Sequence, residues 1–207
     1  MSLKIQNCSA SDAEAAIPFM FSSGPDAFRY VLSSDYAEEA LEFLHSAFAK
    51  GGGEFGYRNH VMAFLDEVPV ALVGLWEEKD NFSYTIDALK NILAFYGVWK
   101  GLAVLLRGLH FQRCVAPPRK GVLYLHNFGV SESHRGQGIG SQVIDFVVEE
   151  AAKRGGIQAV SLYVAADNPA KKLYLRKGFV LVKESDLTLQ GRFSRTSPYH
   201  YMEKPLG

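Results

Sequence analysis

The chain has 207 residues, of which 48% are hydrophobic and 13% aromatic, so it can fill a sizeable core and is not expected to be disordered. Lysine plus arginine equals aspartate plus glutamate at 22 each. This balance gives no overall field that would recruit nucleic acid or an acidic membrane surface. Cys8 and Cys114 are too few for a disulfide framework and lack CxxC spacing, which favours a reducing compartment.

The N-terminal segment and the apolar stretches of the sequence predict where in the cell the protein is located. The N-terminal segment MSLKIQNCSASD has no apolar run followed by a cleavage site, so we expect no signal peptide. The longest apolar stretch, residues 97–109, carries Lys100 and Arg107 and is predicted to be too short to cross a bilayer. We therefore expect a soluble, cytoplasmic protein with neither a membrane nor a nucleic-acid partner.

The first half of the chain is predicted to be helical around one hairpin. The segment SSGPDAF is interpreted as a loop. Apolar residues recur at helical spacing over residues 35–50, and glycines 51–53 end that helix. Residues 60–77 indicate two strands joined by a short turn at DEVP. Residues 80–120, rich in leucine, isoleucine and aromatic residues, form a helical insert of their own.

The second half alternates strands and helices. The pattern predicts strands at residues 122–130, 158–166, 178–185 and 198–205, with helices at residues 139–154 and 168–177. The strand, loop, helix and strand between residues 122 and 166 form a crossover unit, so its two strands should be parallel. We find no repeat and no linker, which favours an α/β fold in a single domain over residues 1–207.

The segment SHRGQGIG places Gly136, Gly138 and Gly140 between that strand and its helix. Unpaired N–H groups and the dipole at a helix N-terminus favour an anion. Glycines would let a phosphate approach the backbone, and Arg135 adds a positive charge beside it. An ordinary strand-to-helix connection is the alternative interpretation of the loop alone.

Two nucleotide-binding templates fail on this loop. A P-loop requires a lysine that is absent, and a dinucleotide fingerprint requires glycine or alanine where Ser141 stands. The loop does match R-x-x-G-x-G, and it resembles the pyrophosphate-binding motif of the GNAT superfamily of N-acetyltransferases. A second segment resembles the same superfamily in order and spacing over residues 121–184, with Asn168, Ala170, Leu173, Tyr174, Gly178 and Phe179.

The resemblance implies a mixed, mostly antiparallel sheet with helices on both faces and a parallel strand pair that splays at the cofactor site. It implies acetyl-CoA as co-substrate and direct attack by a primary amine through a tetrahedral intermediate. An amine of a small molecule is favoured, a protein N-terminus or lysine stays open, and so does a catalytically silent CoA-binding sensor. The implied cofactor-binding residues are Phe128, Gly129, Val130, Arg135, Gly136, Gln137, Gly138, Ile139, Gly140, Ser141 and Asn168.

The resemblance also implies roles for single residues, each with a structural alternative. Tyr174 is the family position that protonates the departing thiolate, but an aromatic residue on a helix also packs in a core. Asn168 either contacts the cofactor or caps its helix, and these two roles are compatible. Backbone N–H groups of Phe128, Gly129 and Val130 are the candidates for stabilising the oxyanion.

A base is expected because an alkylamine is almost fully protonated at neutral pH. Strand alternation places Tyr124, His126 and Phe128 on one face of residues 122–130, with Leu125 and Asn127 on the other. His126 is the candidate base, and a histidine satisfied between strand and helix is the alternative. The histidines show no metal-ligand spacing, so no metal is expected.

The acceptor side is less specified. The segments FSSGPDAFRY and GGGEFGYRNH offer aromatic rings with Arg29, Arg58 and His60, which would suit a small polar substrate. The insert at residues 80–120 is open to three roles: a lid, the surface of a homodimer, or an amphipathic face for a partner. A groove free of the insert would favour a protein acceptor.

Overall fold

The structure, a computed structural model, describes residues 3–207. The strands in this range are β1 Leu3–Asn7, β2 His60–Leu65, β3 Val68–Glu77, β4 Val122–Val130, β5 Ala159–Ala165, β6 Val180–Lys183 and β7 Tyr199–Pro205. The α-helices are α1 Ala13–Ser22, α2 Pro25–Leu32, α3 Glu39–Lys50, α4 Asn81–Phe111, α5 Ile139–Lys153 and α6 Lys171–Arg176.

The seven strands form one sheet in the order β1-β2-β3-β4-β5-β7-β6. The pair β4–β5 is parallel, as the crossover unit predicts, and the remaining neighbours are antiparallel. Helices cover both faces, with α5 on one side and α1, α3 and α4 on the other. The predicted mixed, mostly antiparallel sheet with one parallel pair is confirmed.

Each face of the sheet buries its own core. On one side α5 inserts Val143 and Val147 against Leu123 of β4, as the helical spacing of the sequence predicts. On the other side Phe43 and Phe48 of α3 are buried with residues of α1, β2 and β3. Full burial of a large apolar side chain contributes about 1.5–3 kcal/mol, so these two layers hold the sheet between them.

Strands β4 and β5 separate soon after they begin. Their pairing covers three residue pairs, from Val122 with Ala159 to Tyr124 with Ser161, and no pair follows. Beyond Tyr124, the edge of β4 that faces β5 therefore has no strand partner among residues 3–207. The sheet opens at this point into the splayed pair that the resemblance implies.

A β-bulge in β4 changes which side chains share a face. Gly74 pairs with His126 and Leu72 with Gly129, so Asn127 and Phe128 together oppose one residue of β3. Asn127 has the left-handed value φ = 50° typical of such an irregularity. Phe128 consequently packs on the α5 side, and the prediction that it shares a face with Tyr124 and His126 is wrong.

The predicted insert is a helix of 31 residues, α4, which bends where Gly97 takes a non-helical conformation. With the turn before it, residues 78–111 are long and apolar enough to cross a bilayer by length and composition only. The expectation that the apolar stretch is too short was therefore wrong, because residues 97–109 belong to a longer helix. Here α4 packs on α2 and α3.

Two elements escaped prediction. Strand β1 pairs with β2 at the edge of the sheet and is only five residues long. Helix α2 occupies much of the segment interpreted as a loop, and it starts at Pro25. Proline is favoured in the first turn of a helix, which fits Pro25 as the start of α2.

A close approach of α1 to β4 yields a prediction about stability. A methyl group at Gly129 would lie 2.1 Å from the carbonyl oxygen of Phe19, and both partners are backbone. We expect Gly129→Ala to lower the free energy of unfolding by about 2–3 kcal/mol because the helix must move. Gly155→Ala, where a methyl group meets open space, should change it by less than about 0.5 kcal/mol. Urea titration of both variants measures this, and equal stabilities would contradict the close approach.

Candidate active site

A cavity of about 1340 Å³ passes through the opening between β4 and β5. One end is formed by the glycine loop, the end of β5 and helix α6. The other end is enclosed by α2, α4 and the loop before β2. The cavity thus joins a potential anion site to a chamber on the opposite side of the sheet.

Gly136 and Gly138 give the glycine loop its shape. Their φ angles are 78° and 80°, in the left-handed region that other residues rarely adopt. No atom of residues 3–207 outside the local chain lies within 4 Å of the position that a side chain would take at either glycine. The loop therefore leaves open space beside its backbone.

Helix α5 begins at Ile139, immediately after that space. The N–H groups in the first turn of a helix have no partner within it, and among the described residues no side chain caps α5. Together with the helix dipole, these are groups that could hold an anion such as a pyrophosphate. Gly140 has another function, since a methyl group there would lie 3.0 Å from Leu173 Cδ2, so it lets α6 pack closely.

The other residues predicted to bind the cofactor lie around this space, with one exception. Phe128, Gly129, Val130, Arg135, Ile139, Ser141 and Asn168 all line the cavity. Gln137 does not line it, and its Nε2 donates to the carbonyl oxygen of Ser133 at 3.2 Å. Asn168 Oδ1 accepts the N–H of Ala170 at 2.9 Å, so this residue shapes the start of α6 while it also faces the cavity.

Tyr174 lies on α6 at the boundary between core and cavity. Its ring packs against Phe179 with centroids 5.9 Å apart, and it belongs to the core that α5 covers. Burial raises the pKa of its hydroxyl, so the group keeps its proton at neutral pH. The packing role and the proton-donor role are therefore compatible at this position.

His126 is enclosed by aromatic rings. Its ring centroid lies 5.5 Å from those of Tyr124 and His60 and 6.1 Å from that of Trp76. Both of its nitrogens are buried without a hydrogen-bond partner in the described part of the chain. Burial, with a contribution from His60, holds the pKa of His126 well below its usual value, so the imidazole is neutral.

His60 is the satisfied neighbour of His126. Its Nδ1 donates to the carbonyl oxygen of Gly56 at 2.9 Å, and its Nε2 accepts from the amide of Asn127 at 3.2 Å. Burial lowers the pKa of His60 to about 4. A methyl group at Gly74 would lie within 2.8 Å of the Nε2 atom of either imidazole, so glycine makes room for the histidine pair.

The polar subsite expected from Arg29, Arg58 and His60 does not form. The Arg29 guanidinium lies over the ring of Phe21 at 5.1 Å, and that of Arg58 lies near Tyr57 at 5.7 Å. None of the three residues lines the cavity. The loop GGGEFGYRNH contributes instead through Glu54 and the adjacent phenylalanine, which do line it.

Glu54 is the residue that the sequence analysis missed. It is partly buried in the enclosed end of the cavity, and burial raises the pKa of its carboxyl to about 7. Trp76, Tyr84 and Tyr124 line the same end. The sequence signal for Glu54 was a single acidic residue among glycines and aromatic residues. Whether its side chain reaches the cavity depends on the fold around the loop, which the local sequence does not specify.

The chamber has further polar atoms without partners. Trp76 Nε1 and Asn81 Oδ1 are both buried and lack a hydrogen bond within residues 3–207. Helix α4 supplies much of the chamber wall through Tyr84, Ile92, Val104 and Leu105, so the insert borders the site. In the same range, no group of three or more histidine, cysteine, aspartate or glutamate side chains is placed to hold a metal ion.

The two buried histidines make stability depend on pH. At His60 and His126 the folded protein binds fewer protons than the unfolded chain below about pH 6.5, so the contribution of these two residues to stability falls as the pH drops. We expect His126→Phe to flatten this fall by up to about 1.4 kcal/mol per pH unit between pH 6 and 5. Urea titrations at pH 7, 6 and 5 measure the slope. His45→Gln, at an exposed site on α3, is the control, and a slope unchanged in His126→Phe would contradict a neutral buried imidazole.

Solved structures share this fold across nearly the whole chain. An N-acetyltransferase from Staphylococcus aureus Mu50 superimposes with a TM-score of 0.66 at 14% identity, over 97% of this chain and 99% of the other. An agmatine N-acetyltransferase does so with a TM-score of 0.58 at 17% identity, over the full length of both chains. The PaiA N-acetyltransferase from Thermoplasma acidophilum, in complex with coenzyme A, gives 0.52 at 15% identity, also over both full lengths.

Sequence comparison agrees with the fold. No curated protein matches the chain. The profile of the acetyltransferase (GNAT) family matches residues 26–179, which include the glycine loop, the splayed strands and α6. The match covers well over half of the 207 residues. This chain therefore belongs to the GNAT family of acetyltransferases.

Proposed function

We propose that this protein transfers the acetyl group of acetyl-CoA to the primary amine of a small molecule. The observation that carries the proposal is the cavity that joins the glycine loop to a chamber walled by α4. A protein terminus or a lysine side chain would need a groove free of this helix. The shared fold of an agmatine N-acetyltransferase supports a small amine as acceptor.

The residues at the loop end fit coenzyme A. The open space beside Gly136 and Gly138 would take the pyrophosphate, with the first-turn N–H groups of α5 donating to it and Arg135 adding charge. The unpaired edge of β4 beyond Tyr124 would pair with the amide groups of the pantetheine arm. Acetyl-CoA bound in this way supplies a thioester at the opening of the sheet.

The chemistry asks three things of the chain. The amine must lose a proton before it attacks the thioester carbonyl, and a tetrahedral oxyanion then forms. The candidates for donating to that oxyanion are the backbone N–H groups of Phe128, Gly129 and Val130, three residues that line the cavity. The hydroxyl of Tyr174, protonated at neutral pH, donates to the sulfur as the carbon–sulfur bond breaks.

The assignment of His126 as the base stays a prediction. A neutral imidazole can accept a proton, and His126 lines the cavity. Its nitrogens, however, lie against Gly74 and His60 and are shielded from solvent, and its lowered pKa makes it a weak base. The ring is therefore better placed to shape the chamber than to meet the acceptor nitrogen.

The pyrophosphate site can be tested at Gly138. Valine there would be strained at φ = 80° and would fill the open space, so we expect Gly138→Val to weaken CoA binding by about 100-fold. Gly156→Val is a matched control because Gly156 has a similar φ of 85°, also meets open space and lies outside the cavity. Calorimetric titration with CoA measures both variants, and equal affinities in folded proteins would sink the assignment.

The proton donor can be tested at Tyr174. Removing only the hydroxyl in Tyr174→Phe should lower kcat by about 100-fold, while CoA affinity stays within about twofold of wild type. Release of the CoA thiol, measured over a panel of amines, amino acids and peptides, gives the rate. Tyr36→Phe, at an exposed tyrosine, is the control. An unchanged kcat would leave Tyr174 with a packing role alone, and no turnover by the wild type with any acceptor would favour the sensor alternative.

A further inference from the structure

Glu54 lies in a loop that the fold holds firmly in place. Gly51 and Gly53, which precede Glu54 in this loop, have left-handed φ angles of 82° and 76°. Asp87 of α4 packs where a side chain at Gly52 would stand, and Asn59 Nδ2 donates to the carbonyl oxygen of Gly53 at 2.6 Å. The backbone that carries Glu54 is therefore fixed from two sides.

The Glu54 carboxyl has no protein partner. It forms no ion pair and accepts no hydrogen bond from any residue in the range 3–207, although it is partly buried. Two other acids line the cavity, Asp26 and Asp167, but both are exposed to solvent. Glu54 is thus the one acid along the cavity in that range that is partly buried rather than exposed.

A partly buried carboxylate without a partner destabilises a folded protein unless it takes up a proton or a cation neutralises it. Burial raises its pKa to about 7, so that the group is part protonated and part ionised near neutral pH. Burial raises the pKa values of the Tyr84 and Tyr124 hydroxyls, and the negative charge of Glu54 raises them further. The carboxyl therefore lies near the aromatic end of the cavity, which it also lines.

Aromatic rings line the cavity together with Glu54. The rings of Trp76 and Tyr84 stack with centroids 5.1 Å apart, and Tyr124 lies 6.0 Å from Trp76. Ring faces attract cations, and their edges and faces accept apolar groups. Behind them α4 contributes Ile92 and Val104, which add an aliphatic wall.

We propose that Glu54 binds the ammonium group of the acceptor and removes its proton, and that the acceptor is a primary amine with one positive charge and an aromatic or aliphatic body. This inference rests on the proposed function. It adds the substrate class and a second catalytic residue to the tyrosine already assigned.

The proton balance is complete with these two residues. The ammonium gives one proton to the carboxylate of Glu54, and the neutral nitrogen forms the new bond to the carbonyl carbon. The carbon–sulfur bond breaks, and the sulfur takes the proton of Tyr174. The nitrogen then loses its second proton, which restores the tyrosine, and Glu54 releases its proton to solvent. One ammonium and one thioester thus give one amide, one thiol and one proton.

The same surroundings disfavour other acceptors. The second ammonium of a diamine would lie among Ile92, Val104 and the aromatic rings, where no second shielded carboxylate meets it. The carboxylate of an amino acid would be repelled by Glu54. The relative kcat/KM values for these amines therefore report which charges and apolar groups line the chamber.

The test compares Glu54→Gln with Glu54→Asp and with wild type. We expect Glu54→Gln to lower kcat/KM for 2-phenylethylamine by at least 100-fold, with CoA affinity within about twofold of wild type. Glu54→Asp, which keeps the charge, should retain more activity than the glutamine variant. Glu149→Gln, on the exposed face of α5, is the matched control and should behave as wild type.

The pH profile separates a base from a structural residue. The titratable groups near Glu54 are Tyr84 of α4 and Tyr124 and His126 of β4, which line the same cavity, and Asp87 of α4, which packs against Gly52 and Gly53 of its loop. Both tyrosine pKa values are raised and that of His126 is lowered, away from neutrality. Wild-type kcat/KM should rise about tenfold per pH unit up to about pH 7 and then level, because the carboxyl must be ionised. This rise should be lost in Glu54→Gln.

Two outcomes would overturn the inference while the proposed function stands: a Glu54→Gln variant within threefold of wild type, or putrescine acetylated with a higher kcat/KM than 2-phenylethylamine. Failure of the wild type to acetylate any amine would instead count against the proposed function. In that case binding still decides the role of Glu54. Thermal shift with 2-phenylethylamine should stabilise the wild type and not Glu54→Gln, and equal shifts would overturn the inference.

Discussion

The structure depends on the early end of the pairing between β4 and β5. Three parallel pairs hold the strands together, and the bulge at Asn127 then redirects β4, so that Phe128 turns to the α5 side. Backbone contact between Gly129 and α1 fixes the new course of the strand. Because no strand of residues 3–207 fills the gap between β4 and β5, the sheet is open near its centre. One cavity therefore reaches both of its faces. The open space at the glycine loop and the chamber walled by α4 are parts of one cavity only because of this opening.

Buried polar groups along the cavity differ from those elsewhere in whether they have hydrogen-bond or ion-pair partners. Away from it they are paired: Glu39 accepts N–H groups of the preceding loop, Glu77 pairs with Arg154, and His60 uses both ring nitrogens. Along the chamber Trp76, Asn81 and His126 have buried polar atoms without partners in residues 3–207. Unmet hydrogen-bonding capacity costs stability, so its concentration in one place marks a surface that is complementary to a ligand rather than to the protein itself.

The parts of this fold that could be predicted are those whose structure is determined by neighbouring residues in the sequence. The strand at residues 122–130, the loop with Gly136 and Gly138, and α5 follow from periodicity and glycine spacing, and the structure gives them nearly the same bounds. Strand β1 depends on a distant partner in β2, and the bulge at Asn127 depends on the register against β3, so neither has a local signal. Helix α2 was missed for another reason. Proline occurs in loops and also in the first turn of helices, so Pro25 alone does not distinguish a loop from a helix start.

The two ends of the cavity differ in the same way. The anion end is built from consecutive residues of one crossover, so a short motif identifies it and predicts acetyl-CoA. The acceptor end brings Glu54, Trp76, Tyr84 and Tyr124 together from four separate elements, and the long helix α4 closes it. A change in that helix or in the loop at Glu54 could alter the acceptor without touching the glycine loop. Family membership therefore specifies the acetyl donor, whereas the acceptor has to be deduced from the charge and shape of the chamber in this particular chain.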